Sequence, residues 1–173
     1  YESTKKYGNS AYDFALLHLV KPAKNKPLSL IGSHIQLVAP YKRAITMGWG
    51  NTGRGGESQK LMYVNMPIDQ AAACKSLYKY KGVQWFNNTI MICAGSTSGI
   101  RYNAARGDSG GPLIVMNDNH TYLVGVVSWG DPNDPGFQKA HPAVYARVSA
   151  VENWIFSTIT TYDEKPRPDL TRC

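Results

Sequence analysis

The run Gly107-Asp108-Ser109-Gly110-Gly111-Pro112-Leu113 constrains this chain more than any other. Its glycines admit backbone angles closed to other residues and let another molecule approach the main chain. Pro112 then feeds the apolar run Leu113-Ile114-Val115. The segment therefore reads as a tight turn that presents the Ser109 hydroxyl and enters a strand. The amides of Gly107 and Ser109 are candidates to converge on one point, as an oxyanion site requires. An ordinary glycine-rich β-turn is the alternative. A bare Gly-x-Ser-x-Gly would favour that alternative, but the full heptapeptide is far more specific.

The rest of the chain says what kind of fold would hold such a turn. Its 173 residues suffice for one domain with a core, and a composition of 43% hydrophobic and 18% charged residues excludes disorder. Short apolar runs separated by turn residues at fairly even intervals point to a β-sandwich or barrel. Strands are expected over 44–50, 61–68, 89–92, 121–130 and 142–148. Residues 11–20 read as a polar turn running into a buried strand, with Asp13 at its mouth. Residues 21–40 are rich in Lys and Pro and read as a linker, with Ile35-Gln36-Leu37-Val38 pairing briefly along the way. Two helices are expected. One runs from Gln70 to about Tyr78. The other opens on a capping box, Ser149 with Glu152, and buries Val151, Trp154, Ile155 and Ile159 on one face.

The net charge of +7 is scattered, without a dense cluster or a nucleic-acid motif, so a solvated basic surface is the reading. No apolar run approaches the length of a membrane span. The three cysteines, Cys74, Cys93 and Cys173, fit no zinc spacing, and neither metal nor cofactor is called for. Cys74 and Cys93 are either a disulfide pair or two buried thiols. Cys173 is left over, and an odd cysteine in a secreted chain points to a partner outside it. Asn87 and Asn119 head glycosylation sequons, which agree with a secretory setting. The first residues look like mid-chain sequence, so the chain reads as a fragment.

On these residues the chain resembles the chymotrypsin/trypsin-like serine proteases. The matches follow that family's order: Asp-Phe-Ala-Leu-Leu from Asp13, Gly-Trp-Gly from Gly48, Cys-Ala-Gly from Cys93, the heptapeptide from Gly107, Ser-Trp-Gly from Ser128 and Val-Tyr-Ala-Arg-Val from Val144. The resemblance extends from Asp13 to about Ile159 and is incomplete at the N-terminus. It implies an all-β, double Greek-key antiparallel barrel fold with a C-terminal helix. Residues 1–20 would be the remnant of a mostly missing first barrel and 21–40 the inter-barrel linker. Residues 41–148 would form a complete second barrel, 149–159 the helix and 160–173 a flexible tail.

The resemblance also implies a secreted serine endopeptidase. Ser109 would be the nucleophile and Asp13 the residue that orients the catalytic histidine. The amides of Gly107 and Ser109 would stabilise the oxyanion. Asn103 and Ala104 would lie at the base of the specificity pocket, and Ser128, Trp129 and Gly130 would pair with a peptide substrate as an added strand. Ala143 would narrow the pocket wall. Asp108 would receive the ammonium released by zymogen cleavage, and Cys74–Cys93 would be a disulfide. Asn103 carries no charge, which speaks against a Lys/Arg preference. Arg106 would favour acidic groups at the rim. Ala105 stands where the family usually has a cysteine, and that cysteine's partner is absent too. Four histidines are present, His18, His34, His120 and His141, none in the context of the family's base. His18 lies roughly 16 Å from Asp13 along an extended strand. The base is therefore expected upstream of Tyr1, and the isolated chain is expected to be inactive. The partners implied are protein or peptide substrates and protein inhibitors, with the upstream part as the candidate disulfide partner of Cys173. The altered pocket motivates a second reading, a catalytically inactive homologue that acts as a protein-binding or inhibitory module.

Overall fold

Alternating burial along Arg43–Gly48 shows how the sheet is built. Ala44 and Thr46 point inward while Arg43 is exposed, the two-residue period of a strand with one wet face. The structure is a computed structural model that describes residues 11–32, 34–53, 56–80, 83–95, 103–130 and 141–163. Its strands are β1 (Ser29–Leu30), β2 (Arg43–Gly48), β3 (Met62–Pro67), β4 (Lys79–Tyr80), β5 (Val83–Gln84), β6 (Met91–Ala94), β7 (Pro112–Asn117), β8 (His120–Trp129) and β9 (Ala143–Arg147). The main sheet runs β3-β2-β7-β8-β9-β6, antiparallel throughout, while β1 lies parallel to the first part of β8. An Ile68–Ala94 bridge joins its two outer strands, flanked by Asp69 N to Cys93 O at 2.8 Å and Gly95 N to Pro67 O at 3.2 Å. Those contacts join the ends of the two outer strands and close the sheet there into a barrel. Val124, Leu113, Tyr145, Met66 and Ala94 fill the interior.

The β7–β8 turn follows from Asp118-Asn119. Both residues have positive φ, 46° and 62°, the geometry of a two-residue hairpin loop that Asn and Asp tolerate. Helix α1 (Ala71–Leu77) is where the alanine-rich run placed it, and its buried Cys74 is joined to Cys93 on β6. The expected disulfide is therefore present.

Five expectations are corrected. Residues 13–20 form no strand. A strand is held by the ladder of a neighbour, and among the described residues nothing pairs with this stretch, so Leu17, Leu19 and Val20 are exposed. Ile35–Val38 does not pair; it is a 3₁₀ turn that buries Leu37, and the brief pairing in this region belongs to β1. The strand expected from 89 starts at Met91, after a turn in which Asn87 Oδ1 accepts the Thr89 amide. The capping box does not form. Ser149 lies in a 3₁₀ turn, Val148–Ala150, and α2 spans Glu152–Asp163. Glu152 is thus at the first helical position, where it cannot reach back to cap, and its carboxylate accepts the Gly32 amide at 2.7 Å instead. Val151 and Ile155 are buried as expected, but Ile159 is exposed because only the first turn of α2 packs down. Cys173 and residues 164–172 lie outside the described residues.

Candidate active site

The nucleophile-like turn is held by its own backbone and by β8. Asp108 N donates to Ala105 O at 2.9 Å and Gly111 N to Asp108 O at 2.8 Å. Gly110 N donates to Val127 O at 2.9 Å, and Val127 N donates to Gly111 O at 2.8 Å. Gly107 and Gly110 sit at φ +98° and +81°, where a side chain would be strained. Ser109 is exposed at the crest. Among the described residues, the Gly107 and Ser109 amides donate to no acceptor.

Beneath the crest, Asp108 points inward. Its Oδ1 accepts the Gly50 amide at 2.8 Å and its Oδ2 the Ala105 amide at 2.9 Å. Two charge-assisted bonds of this kind replace the water a half-buried carboxylate gives up. A Cβ on Gly48 would lie 2.1 Å from Oδ1, and one on Gly50 2.6 Å. The Gly-Trp-Gly turn is therefore a seat for Asp108, a role not read from the sequence. The spacing of two glycines was visible, but the acid they admit lies 58 residues away from Gly50.

Asp108 and Asn103 line one open cleft of about 690 Å³, with Gly48, Gly50 and Thr46 on its walls. Asn103 is tied in at both ends: Nδ2 donates to His141 O at 2.8 Å and Oδ1 accepts the Ala104 amide at 2.8 Å. Gly95 makes room for it, since a Cβ there would meet Nδ2 at 2.8 Å. Ala143 is buried in the main core, opposite Ala94.

Asp13 meets β8 from the other direction. Ser128 Oγ donates to Asp13 Oδ2 at 2.7 Å across 115 residues of sequence. The β7–β8 ladder ends at Pro112–Val126 and is extended by the Val127 bonds to Gly110 and Gly111. Ser128, Trp129 and Gly130 run on past it. Neighbouring residues of one strand therefore anchor both chemistry-bearing groups: Val127 holds the Ser109 turn and Ser128 holds Asp13. Trp129 packs edge-on to Tyr78, ring centroids 4.9 Å apart, and the Tyr78 hydroxyl donates to the Pro142 carbonyl.

Among the described residues the histidines serve elsewhere. His18 stacks on Tyr162, and His34 Nδ1 and His120 Nδ1 lie against the carbonyls of Ile31 and Asp118. His141 meets the edge of Tyr78. No three His, Cys, Asp or Glu side chains among the described residues group as metal ligands, and no helix there is long and apolar enough to cross a membrane.

Comparison with known proteins accords with this geometry. The family model described as Trypsin matches residues 1–155. The chain is 35% identical to glucanase inhibitor protein 2 of Phytophthora sojae over 166 residues, which are 92% of this chain and 53% of that protein. It is also 35% identical to a trypsin of Saccharopolyspora erythraea over 144 residues, 80% of this chain and 56% of that one. Glucanase inhibitor protein 1 of Phytophthora sojae is 34% identical over 156 residues, covering 87% and 55%. The chain spans about half the length of the curated relatives it matches. With the family's model matching residues 1–155 of the chain and an antiparallel barrel sheet present, this chain belongs to the trypsin family.

Proposed function

We propose that the protein carrying this chain is a secreted serine endopeptidase that works through an acyl-enzyme, with a histidine supplied by residues outside these 173. The observation that carries the reading is the shared anchor on β8, where Val127 bonds to the turn of Ser109 and Ser128 to the carboxylate of Asp13. An imidazole between them would take the Ser109 proton as Oγ attacks a peptide carbonyl and return it to the leaving amine. Water would then release the acyl group by the same route. Asp13 would fix the tautomer and stabilise the imidazolium. The amides of Gly107 and Ser109, without an acceptor among the described residues, would receive the negative oxygen of the tetrahedral intermediate. A substrate strand would pair with Ser128–Gly130, where the β7 ladder has ended.

Asn103 and Ala104 would form the base of the specificity pocket. Asn103 carries no charge and its amide is tied in at both ends, so neutral side chains are the expected preference. Asp108 would exchange its amide donors for the ammonium of a processed N-terminus. The Cys74–Cys93 disulfide and the Asn87 and Asn119 sequons support an extracellular setting. The full-length protein should cleave unstructured protein such as reduced casein, and Ser109→Ala should abolish cleavage. A folded, N-terminally processed protein that leaves casein intact would contradict the reading.

A second reading has its own support, since two of the relatives are named glucanase inhibitor proteins. On that reading the barrel is a protein-binding module without catalysis. It predicts stoichiometric complexes with a glycoside hydrolase that persist in Ser109→Ala, and no turnover of peptides.

A further inference from the structure

A second pocket lies apart from the nucleophile turn, beside the disulfide, with a volume of about 370 Å³. Its walls are apolar, from Ile35, Val38, Ile68 and Ile92, and its polar groups include Arg147 and Asn88. Arg147 is half-buried at the end of β9. Its Nε and Nη2 donate to Met91 O at 3.2 and 3.0 Å, and Nη2 also donates to Asn88 Oδ1 at 3.2 Å. These bonds use one side of the guanidinium. Among the described residues Nη1 has no hydrogen-bond partner. The Asn88 amide nitrogen is likewise without one.

Burial pulls the Arg147 pKa down from its ordinary range. Asp69 also lines the pocket and is engaged in an interaction of its own. A half-buried cation is costly unless it is paired and hydrogen-bonded. Here Arg147 and Asn88 line the same hollow as Ile35, Val38, Ile68 and Ile92.

We propose that this pocket binds a carboxylate carried on an apolar group, with Nη1 of Arg147 and the amide nitrogen of Asn88 as the donors and the isoleucine walls covering the apolar part. The arrangement would suit a small organic acid or the free C-terminus of a peptide ending in an apolar residue. The two sources share one chemistry and are separated by experiment.

The test is an NMR titration of the isotopically labelled full-length protein, following the amides of Ile68, Ile92 and Cys93 and the Arg147 side-chain Nε–H. The probes are 4-phenylbutyrate against 4-phenylbutanol, and acetyl-Ala-Ala-Phe against its C-terminal amide. Both acids should give saturable shifts at these signals, with binding at least tenfold weaker for the alcohol and the amide. The tighter of the two acids identifies the source. Arg147→Met should abolish the shifts, but it also releases Met91 and Asn88 and risks the fold. Ile35→Asp, at the exposed mouth, adds a repelling charge without touching those bonds and should weaken both acids at least fivefold. Equal binding of acid and alcohol, shifts that do not saturate, or an unchanged affinity in a folded Ile35→Asp variant would overturn the proposal.

Discussion

Asp108 Oδ1 and Oδ2 each accept one amide, and the two glycines that flank Trp49 leave room for nothing larger than hydrogen. Gly48→Ala must therefore displace the carboxylate or the strand end. Overpacking of this kind costs about 1–3 kcal/mol. Chemical denaturation should show that loss, and Ser109 reactivity should fall with it because Asp108 adjoins the nucleophile. Asp13→Asn in the full-length protein should lower kcat by about 10⁴-fold, the size of the same exchange in another protease of this family, while leaving stability nearly unchanged. Ser128→Ala removes one exposed bond to Asp13. A loss of about 1 kcal/mol, or about fivefold in kcat, is the expected scale. A rise in KM alone, with kcat intact, would place the role of Ser128 in substrate pairing.

Helix α1 and strand β6 are stapled by Cys74–Cys93, which closes a loop of 19 residues' separation. Loop-closure entropy puts its contribution at about 3 kcal/mol. A Cys74→Ala/Cys93→Ala double variant should lose that much in denaturant unfolding, provided the buried pair leaves only small voids. Elements of this kind were legible in the sequence because their signals are local. Apolar runs ending in turn residues marked β2, alanines marked α1, and the run after Pro112 marked β7. The misreadings also share a cause. Residues 13–20 have the pattern of a strand but no pairing strand among the described residues, and a pattern cannot supply a ladder. Ser149 and Glu152 have capping-box spacing, yet the 3₁₀ turn before α2 moves the helix start and frees Glu152 for Gly32.

At the scale of the whole molecule, the barrel is closed by contacts between residues far apart in sequence, and so is the candidate site. The heptapeptide could be picked out by its residue types, and Asp13 through the family resemblance of Asp-Phe-Ala-Leu-Leu. Their common anchor on β8 could not, since Ser128 lies 115 residues from Asp13. Nor could the seat of Asp108 or the free edge of Arg147. The closed core has one further consequence. Tyr145 is fully buried, its hydroxyl lies near Thr46 without a well-formed bond, and burial pushes its pKa well above the ordinary value of about 10. Its phenol is thus deprotonated more readily in the unfolded chain. Stability should be intact below pH 10 and fall as pH rises beyond it. Tyr145→Phe should flatten that alkaline decline and be neutral or stabilising at pH 7, as equilibrium unfolding across pH would show. The central claim, that this barrel presents Ser109 as a protease nucleophile oriented through Asp13, is tested most directly by fluorophosphonate labelling of the folded, processed full-length protein with mapping of the modified residue. The account predicts stoichiometric labelling at Ser109, slowed strongly by Asp13→Asn and absent in Ser109→Ala; no labelling, or labelling at another residue, would contradict it.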